Sequence, residues 1–206
     1  MSKKEQHLIR KQWHIIVDGE DIPPPIKNFK DMKFPEPILK KLKDKGTVQP
    51  TPIQVQGLSV ILAGRDMVGI AFTGSGKTLV FVLPMIMIAL LEEMMMPILL
   101  GDGPLGLIVC PSRKLAKQTY EVVEQLLTSI REYGYPELRP LLCIGGVDKR
   151  SQLEVVKKGV HIVIATPRRL KDTLAKKKMN LENCRYLTLD EADRLVDLGF
   201  EDDNTS

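Results

Sequence analysis

Ala71-Phe-Thr-Gly-Ser-Gly-Lys-Thr78 follows a short apolar run of β type, Met67–Ala71, and leads into a long apolar segment of helical character. Gly74 and Gly76 allow the backbone to curl so that successive N–H groups, those of Thr73 and Ser75 included, face an anion. Lys77 then reaches the terminal phosphates of a nucleotide, and the Thr78 hydroxyl suits a magnesium ion. A helix starting near Lys77 adds the positive end of its dipole. Ala71 stands where the general phosphate-loop pattern has glycine, yet a strand before and a helix after are the context the pattern demands. The bland alternative is a glycine turn that happens to precede Lys-Thr, and agreement between residue types and context disfavours it.

Outward from this loop, β-rich apolar runs recur at Leu107–Cys110, Leu141–Ile144, His161–Ala165 and Tyr186–Leu189. Between them lie helical periods: Ile53, Leu58, Ile61 and Leu62; Leu115, Tyr120, Val123, Leu126 and Leu127; Leu153, Val156 and Val160. Alternation of this kind predicts an α/β fold, a mostly parallel sheet with helices on both faces and ligands at the carboxyl ends of the strands. The three prolines in Asp21–Phe29 favour extended geometry and set residues 1–27 apart as an arm ahead of a domain spanning 28–203.

With 206 residues, 43% apolar and 27% charged, the chain can bury a sizeable core, and disordered, fibrous and disulfide-stapled classes drop out. The net charge of +4 is mild, but residues 111–180 carry +8 and residues 181–206 carry −6. That contrast suits a polyanion surface beside a carboxylate site; from charge alone, solvated helix faces explain it as well. Cys110, Cys143 and Cys184 lack C-x-x-C spacing and read as buried thiols of a reducing compartment. The first residues hold no sustained apolar stretch of signal type, and Leu79–Leu91 is short for a span and contains Pro84. The expectation is a nuclear or cytoplasmic protein with no membrane partner.

Leu189-Asp190-Glu191-Ala192-Asp193 closes the last β-type run. An Asp at the end of a buried strand suits Mg²⁺ held partly through water, and the neighbouring Glu can orient or deprotonate an attacking water. An acidic helix start alone is usually dipole complementation; beside a phosphate loop, nucleotide hydrolysis becomes the better reading, with Lys77, Asp190 and Glu191 as catalytic residues.

Together AFTGSGKT and LDEAD resemble the DEAD-box RNA helicases, a family with a RecA-like fold that couples ATP and Mg²⁺ to RNA remodelling. Gly46-Thr-Val-Gln-Pro-Thr-Pro-Ile-Gln54 is similar to the family's Q motif, whose last Gln pairs with adenine, and Phe29 lies where the family places an aromatic that stacks on the base. Without the phosphate loop, Gln54 reads as a helix-surface amide and Phe29 as a core aromatic. Pro111-Ser-Arg-Lys-Leu-Ala116, Gly145-Gly146 and Thr166-Pro-Arg-Arg169 resemble the loops with which the family holds the RNA backbone. The resemblance therefore implies single-stranded, sequence-nonspecific RNA binding through Arg113, Gly145, Gly146, Thr166 and Arg169. The IPPPIK arm and the wording around the Q motif are similar to the Abstrakt subgroup, which implies spliceosomal partners and favours the nucleus.

Two positions depart from the family pattern. Lys114 replaces a usual Glu, and Arg168 replaces a usual Gly that serves either positive φ or close backbone approach, so weaker RNA binding is expected. Only 13 residues follow Asp193. Against the family this reads as an incomplete first lobe without the Ser-Ala-Thr motif or the second lobe, which another chain would have to supply. That missing strand would leave unpaired ladder groups beside the Asp190 strand. The chain alone is accordingly expected to bind nucleotide and RNA with little unwinding; the competing readings are a non-catalytic binding module and an incomplete gene product.

Overall fold

The computed structural model describes residues 1–147 and 149–202, and its chain divides into two compact units, Met1–Met87 and Ile88 onward. In the first unit, α1 (Lys3–Gln12) starts at a reciprocal cap: Ser2 Oγ accepts from Glu5 N, and Glu5 Oε2 accepts from Ser2 N. An extended segment follows. A 3₁₀ turn (Phe29–Met32) then buries Phe29 and Met32, and α2 (Glu36–Asp44) turns Ile38 and Leu42 inward. Thr51 caps α3 (Pro52–Leu62), where Pro52 at the first position carries no N–H to leave unpaired. The phosphate-loop segment leads into α4 (Lys77–Met95), which begins in this unit and ends in the second. By length and a hydropathy of 2.0 α4 matches a membrane span, but half of that window is buried inside the protein, as in a core helix.

The second unit is built on a four-stranded parallel sheet. Its strands are β1 (Gly106–Val109), β2 (Pro140–Cys143), β3 (Ile162–Ala165) and β4 (Tyr186–Leu189), in the order β2-β3-β1-β4. Every residue of β1 and β3 is buried, so the two central strands are covered on both faces. The helices are α5 (Arg113–Glu132), α6 (Lys149–Lys157), α7 (Pro167–Ala175) and α8 (Ala192–Asp202). Helix α5 turns Ala116, Thr119, Val123, Leu126, Leu127 and Ile130 inward at helical spacing. Leu107, Val109, Leu141, Cys143, Val156, Val160, Val163, Ala165 and Met179 form one apolar core.

One predicted strand is missing. Met67–Ala71 forms no regular element and pairs with no strand among the described residues, and Val68, Ile70 and Phe72 are each more than 90% exposed. Strand β4 likewise has a single neighbour, β1, with Leu187 62% and Leu189 53% exposed. An apolar β-type run becomes a strand only when a neighbour supplies N–H and C=O partners. The arm at residues 1–27 packs as part of the first unit, and the proposed end of the domain at residue 203 lies outside the described residues.

Candidate nucleotide and nucleic-acid sites

The Q-motif residues and the phosphate loop form one hydrogen-bonded assembly in the first unit. Thr51 Oγ1 donates to the Ser75 carbonyl at 2.7 Å, and Gln54 Nε2 donates to the Gly76 carbonyl at 3.0 Å. Gln54 Oε1 accepts from Thr51 N at 2.9 Å. The loop itself turns at Phe72–Ser75, where Ser75 N donates to the Phe72 carbonyl, and Lys77 Nζ curls back onto the Ala71 carbonyl at 2.7 Å. Gly74 and Gly76 take left-handed φ values of +79° and +84°. A Cβ at Gly76 would overlap the Gln54 amide nitrogen, so the backbone sign favours glycine there and any side chain has to push that amide aside.

Gln54 is 1% exposed and Phe29 5%. One Gln54 N–H and one Oε1 lone pair are used within the protein, which leaves one donor and one acceptor site, but at this burial the amide has to turn outward to meet an adenine edge. Phe29 is a core aromatic here. Thr73 and Gly74 are exposed, and Thr78 is half-buried one residue into α4. The Ser75 hydroxyl is buried without a partner among the described residues. A curled loop with two left-handed glycines, a lysine folded over it and an orphaned hydroxyl fits a polyphosphate. Among the described residues no three His, Cys, Asp or Glu cluster as metal ligands. Mg²⁺ needs no such cage, since it is commonly held by one or two carboxylates and the nucleotide's own phosphates.

In the second unit the carboxyl ends of the strands meet in order. Thr166 N donates to the Cys143 carbonyl, Cys110 N to the Ala165 carbonyl and Asp190 N to the Val109 carbonyl. This brings the segments at Pro111, Gly145, Thr166 and Asp190 to one end of the sheet, where ligands of parallel sheets bind. Asp190 is 9% exposed. Burial first, and then the Asp190 and Glu191 charges, push the Cys110 thiol up to about 12, so this cysteine stays a thiol. Glu191 sits at φ +51°, and its Oε2 accepts from Arg194 Nη1 at 2.7 Å. All three cysteines are free thiols.

Arg113 is exposed at the start of α5, behind the Ser112 cap, and its guanidinium lies against Gly146, whose φ is +82°. Two of the expected RNA-contacting segments are thus adjacent. Gly145, half-buried with open space around its Cα, and Thr166, the buried N-cap of α7, lie at the same end.

Arg169 departs from expectation. It donates through Nε to the Ile144 carbonyl at 3.0 Å and through Nη2 to the Val147 carbonyl at 3.1 Å, and it lies 3.9 Å from Asp172. Its donors hold the glycine-pair loop from within. Arg168 departs differently: it occupies α7 without positive φ and is exposed, so the expected backbone strain is absent. Lys114 is likewise exposed.

Sequence reasoning missed two supporting contacts. Thr51 was legible as a helix cap from its Thr-x-x-Gln spacing. The other is a buried pair between α4 and the residue just before β3, in which His161 Nε2 meets Glu93 Oε2 at 2.9 Å while His161 Nδ1 accepts from Arg139 N at 3.0 Å. Nothing in the local pattern announced that pair.

A family model described as DEAD/DEAH box helicase matches residues 51–206. The chain is 81% identical over 203 residues to DEAD-box ATP-dependent RNA helicase 35 of Arabidopsis thaliana, covering 98% of this chain and 34% of that protein. It is 54% identical to the ATP-dependent RNA helicase abstrakt of Drosophila melanogaster, covering 98% of this chain and 33% of that protein. It thus spans about a third of the length of these relatives. The yeast DEAD-box splicing factor Prp28 superposes with a TM-score of 0.85 at 28% identity, over 100% of this chain and 46% of that one. The parallel sheet of the second unit, the glycine loop of the first and the family match over residues 51–206 agree that this chain belongs to the DEAD/DEAH box helicase family.

Proposed function

We propose that the chain is the ATP-binding lobe of an ATP-dependent RNA helicase. The observation that carries this reading is the pinned phosphate loop: Thr51 and Gln54 hold its two carbonyls, Gly74 and Gly76 supply its left-handed turns, and Lys77 lies folded over it. On nucleotide arrival Lys77 exchanges the Ala71 carbonyl for phosphate oxygens, and the loop N–H groups and the Ser75 hydroxyl take the remainder. Bound Mg²⁺ supplies charge neutralisation at those phosphates, and Thr78 is the ligand this unit offers. Gln54 offers adenine its second N–H and its second Oε1 lone pair.

In the second unit, Asp190 is the buried carboxylate that would suit Mg²⁺, and Glu191 is the candidate to orient water once its bond to Arg194 loosens. Single-stranded RNA is the proposed partner of the carboxyl-end loops. Arg113 and the exposed Lys114 and Arg168 supply the positive field, and Thr166, Gly145 and Gly146 supply backbone approach. The added charges of Lys114 and Arg168 are expected to steepen the salt dependence of that binding. Spliceosomal partners and a nuclear location are proposed on the likeness to Prp28 and abstrakt.

The test follows phosphate release from ATP and Mg²⁺ with and without single-stranded RNA, beside the Glu191→Gln variant. Nucleotide binding retained by Glu191→Gln, with any turnover abolished, supports the assignment. Equal turnover in both proteins removes Glu191 from the chemistry.

A further inference from the structure

We propose that Arg10 is a positioning residue for the phosphate loop, acting through α3. This rests on the ATP reading above. An extended proline segment makes no internal hydrogen bonds, so the Pro23 carbonyl must find donors elsewhere. It finds two: Arg10 Nη2 at 3.1 Å and Gln56 Nε2 at 2.9 Å. Arg10 Nε closes the triangle by donating to Gln56 Oε1 at 2.8 Å. Gln56 also donates to Ser59 Oγ, which in turn donates to the Gln56 carbonyl, so its amide is fully used at 6% exposure. Ile26 N adds a bond to the Val55 carbonyl, and Arg65 one to the Asp21 carbonyl.

Helix α3 therefore carries two buried amides two residues apart, Gln56 fastened to the arm and Gln54 fastened to Gly76 of the phosphate loop. Residues two apart face away from each other on a helix, so α3 is clamped from opposite sides. Arg10, on α1, is the only charged side chain among the described residues in the Gln56 clamp. Its loss frees the Gln56 amide and the Pro23 carbonyl together. The start of α3 then loses its fixed position, and with it the setting of Thr51 and Gln54 on Ser75 and Gly76.

The experiment compares Arg10→Ala, Gln56→Ala, the double variant, Arg10→Lys and the control Lys11→Ala. Each is titrated with a fluorescent ATP analogue, and amide exchange is measured over residues 72–76. Arg10→Ala and Gln56→Ala are each expected to weaken binding about three- to tenfold by lowering the population of the competent loop. Exchange at 72–76 should rise in both. The double variant should be no worse than either single one, because both break the same clamp. Arg10→Lys should recover part of the loss, and Lys11→Ala, which removes a charge from the exposed surface of the same helix, should change nothing.

Wild-type affinity and wild-type exchange at 72–76 in Arg10→Ala overturn the proposal, as does an equal effect from Lys11→Ala. If the wild-type chain binds no nucleotide, the ATP reading has failed, and the exchange data still decide the positioning role.

Discussion

Gly76→Ala separates the two reasons for glycine in the phosphate loop. At φ +84° an alanine costs about 1–2 kcal/mol of left-handed strain. Its Cβ would also displace the Gln54 amide nitrogen and break the bond to the Gly76 carbonyl, worth about 0.5–1.5 kcal/mol. Gly74→Ala is the matched control, since φ is +79° there but nothing lies within 4 Å of the added carbon. For a chain of this size, 1 kcal/mol corresponds to about 2–4 °C in Tm. Gly76→Ala should thus melt about 1–6 °C below Gly74→Ala, by combining the hydrogen-bond term with that conversion. Circular dichroism melts of both variants, repeated in a Gln54→Ala background, give the answer. The gap should close when Gln54 is removed. Equal melting of the two single variants would refute the contact between Gln54 and the loop.

Three further outcomes follow from the same geometry. His161→Gln should flatten the acid limb of stability. Burial, against the raising influence of Glu93, holds the His161 pKa below its ordinary 6.5, so the unfolded chain binds the proton more readily. The stability His161 contributes is therefore complete above pH 6.5 and falls as pH drops below it, which denaturant titrations across pH 5–8 will show. Glu93 carries the same sign at lower pH. Burial raises its carboxyl, but the Ile98 N–H and His161 bonds outweigh that and leave it below 4.5. Arg169→Ala should raise amide exchange at residues 144–147 and weaken RNA binding indirectly, because its guanidinium holds the Ile144 and Val147 carbonyls; unchanged exchange contradicts that role.

Four of the five strands expected from composition are present within a residue of their predicted bounds, because runs such as Ile162–Ala165 are apolar and β-branched and are buried on both faces. Met67–Ala71 is also apolar but has no ladder partner among the described residues, which no local pattern can reveal. The phosphate-loop glycines were legible because positive φ and close approach constrain residue type directly. The internal partners of Arg169 were not legible, because a guanidinium donates to a phosphate or to a backbone carbonyl alike, and the path of the glycine-pair loop is a tertiary fact. The Arg10–Gln56 contact and the His161–Glu93 pair were invisible, since they join residues 46 and 68 apart through side chains common on any surface.

The most direct test of the account is a calorimetric titration of the chain with ATP and Mg²⁺, beside Lys77→Ala. The account predicts saturable one-to-one binding to the wild-type chain and none to the variant, since Lys77 is the cation folded over the loop. Equal binding by both proteins would contradict the assignment of this loop as the phosphate site.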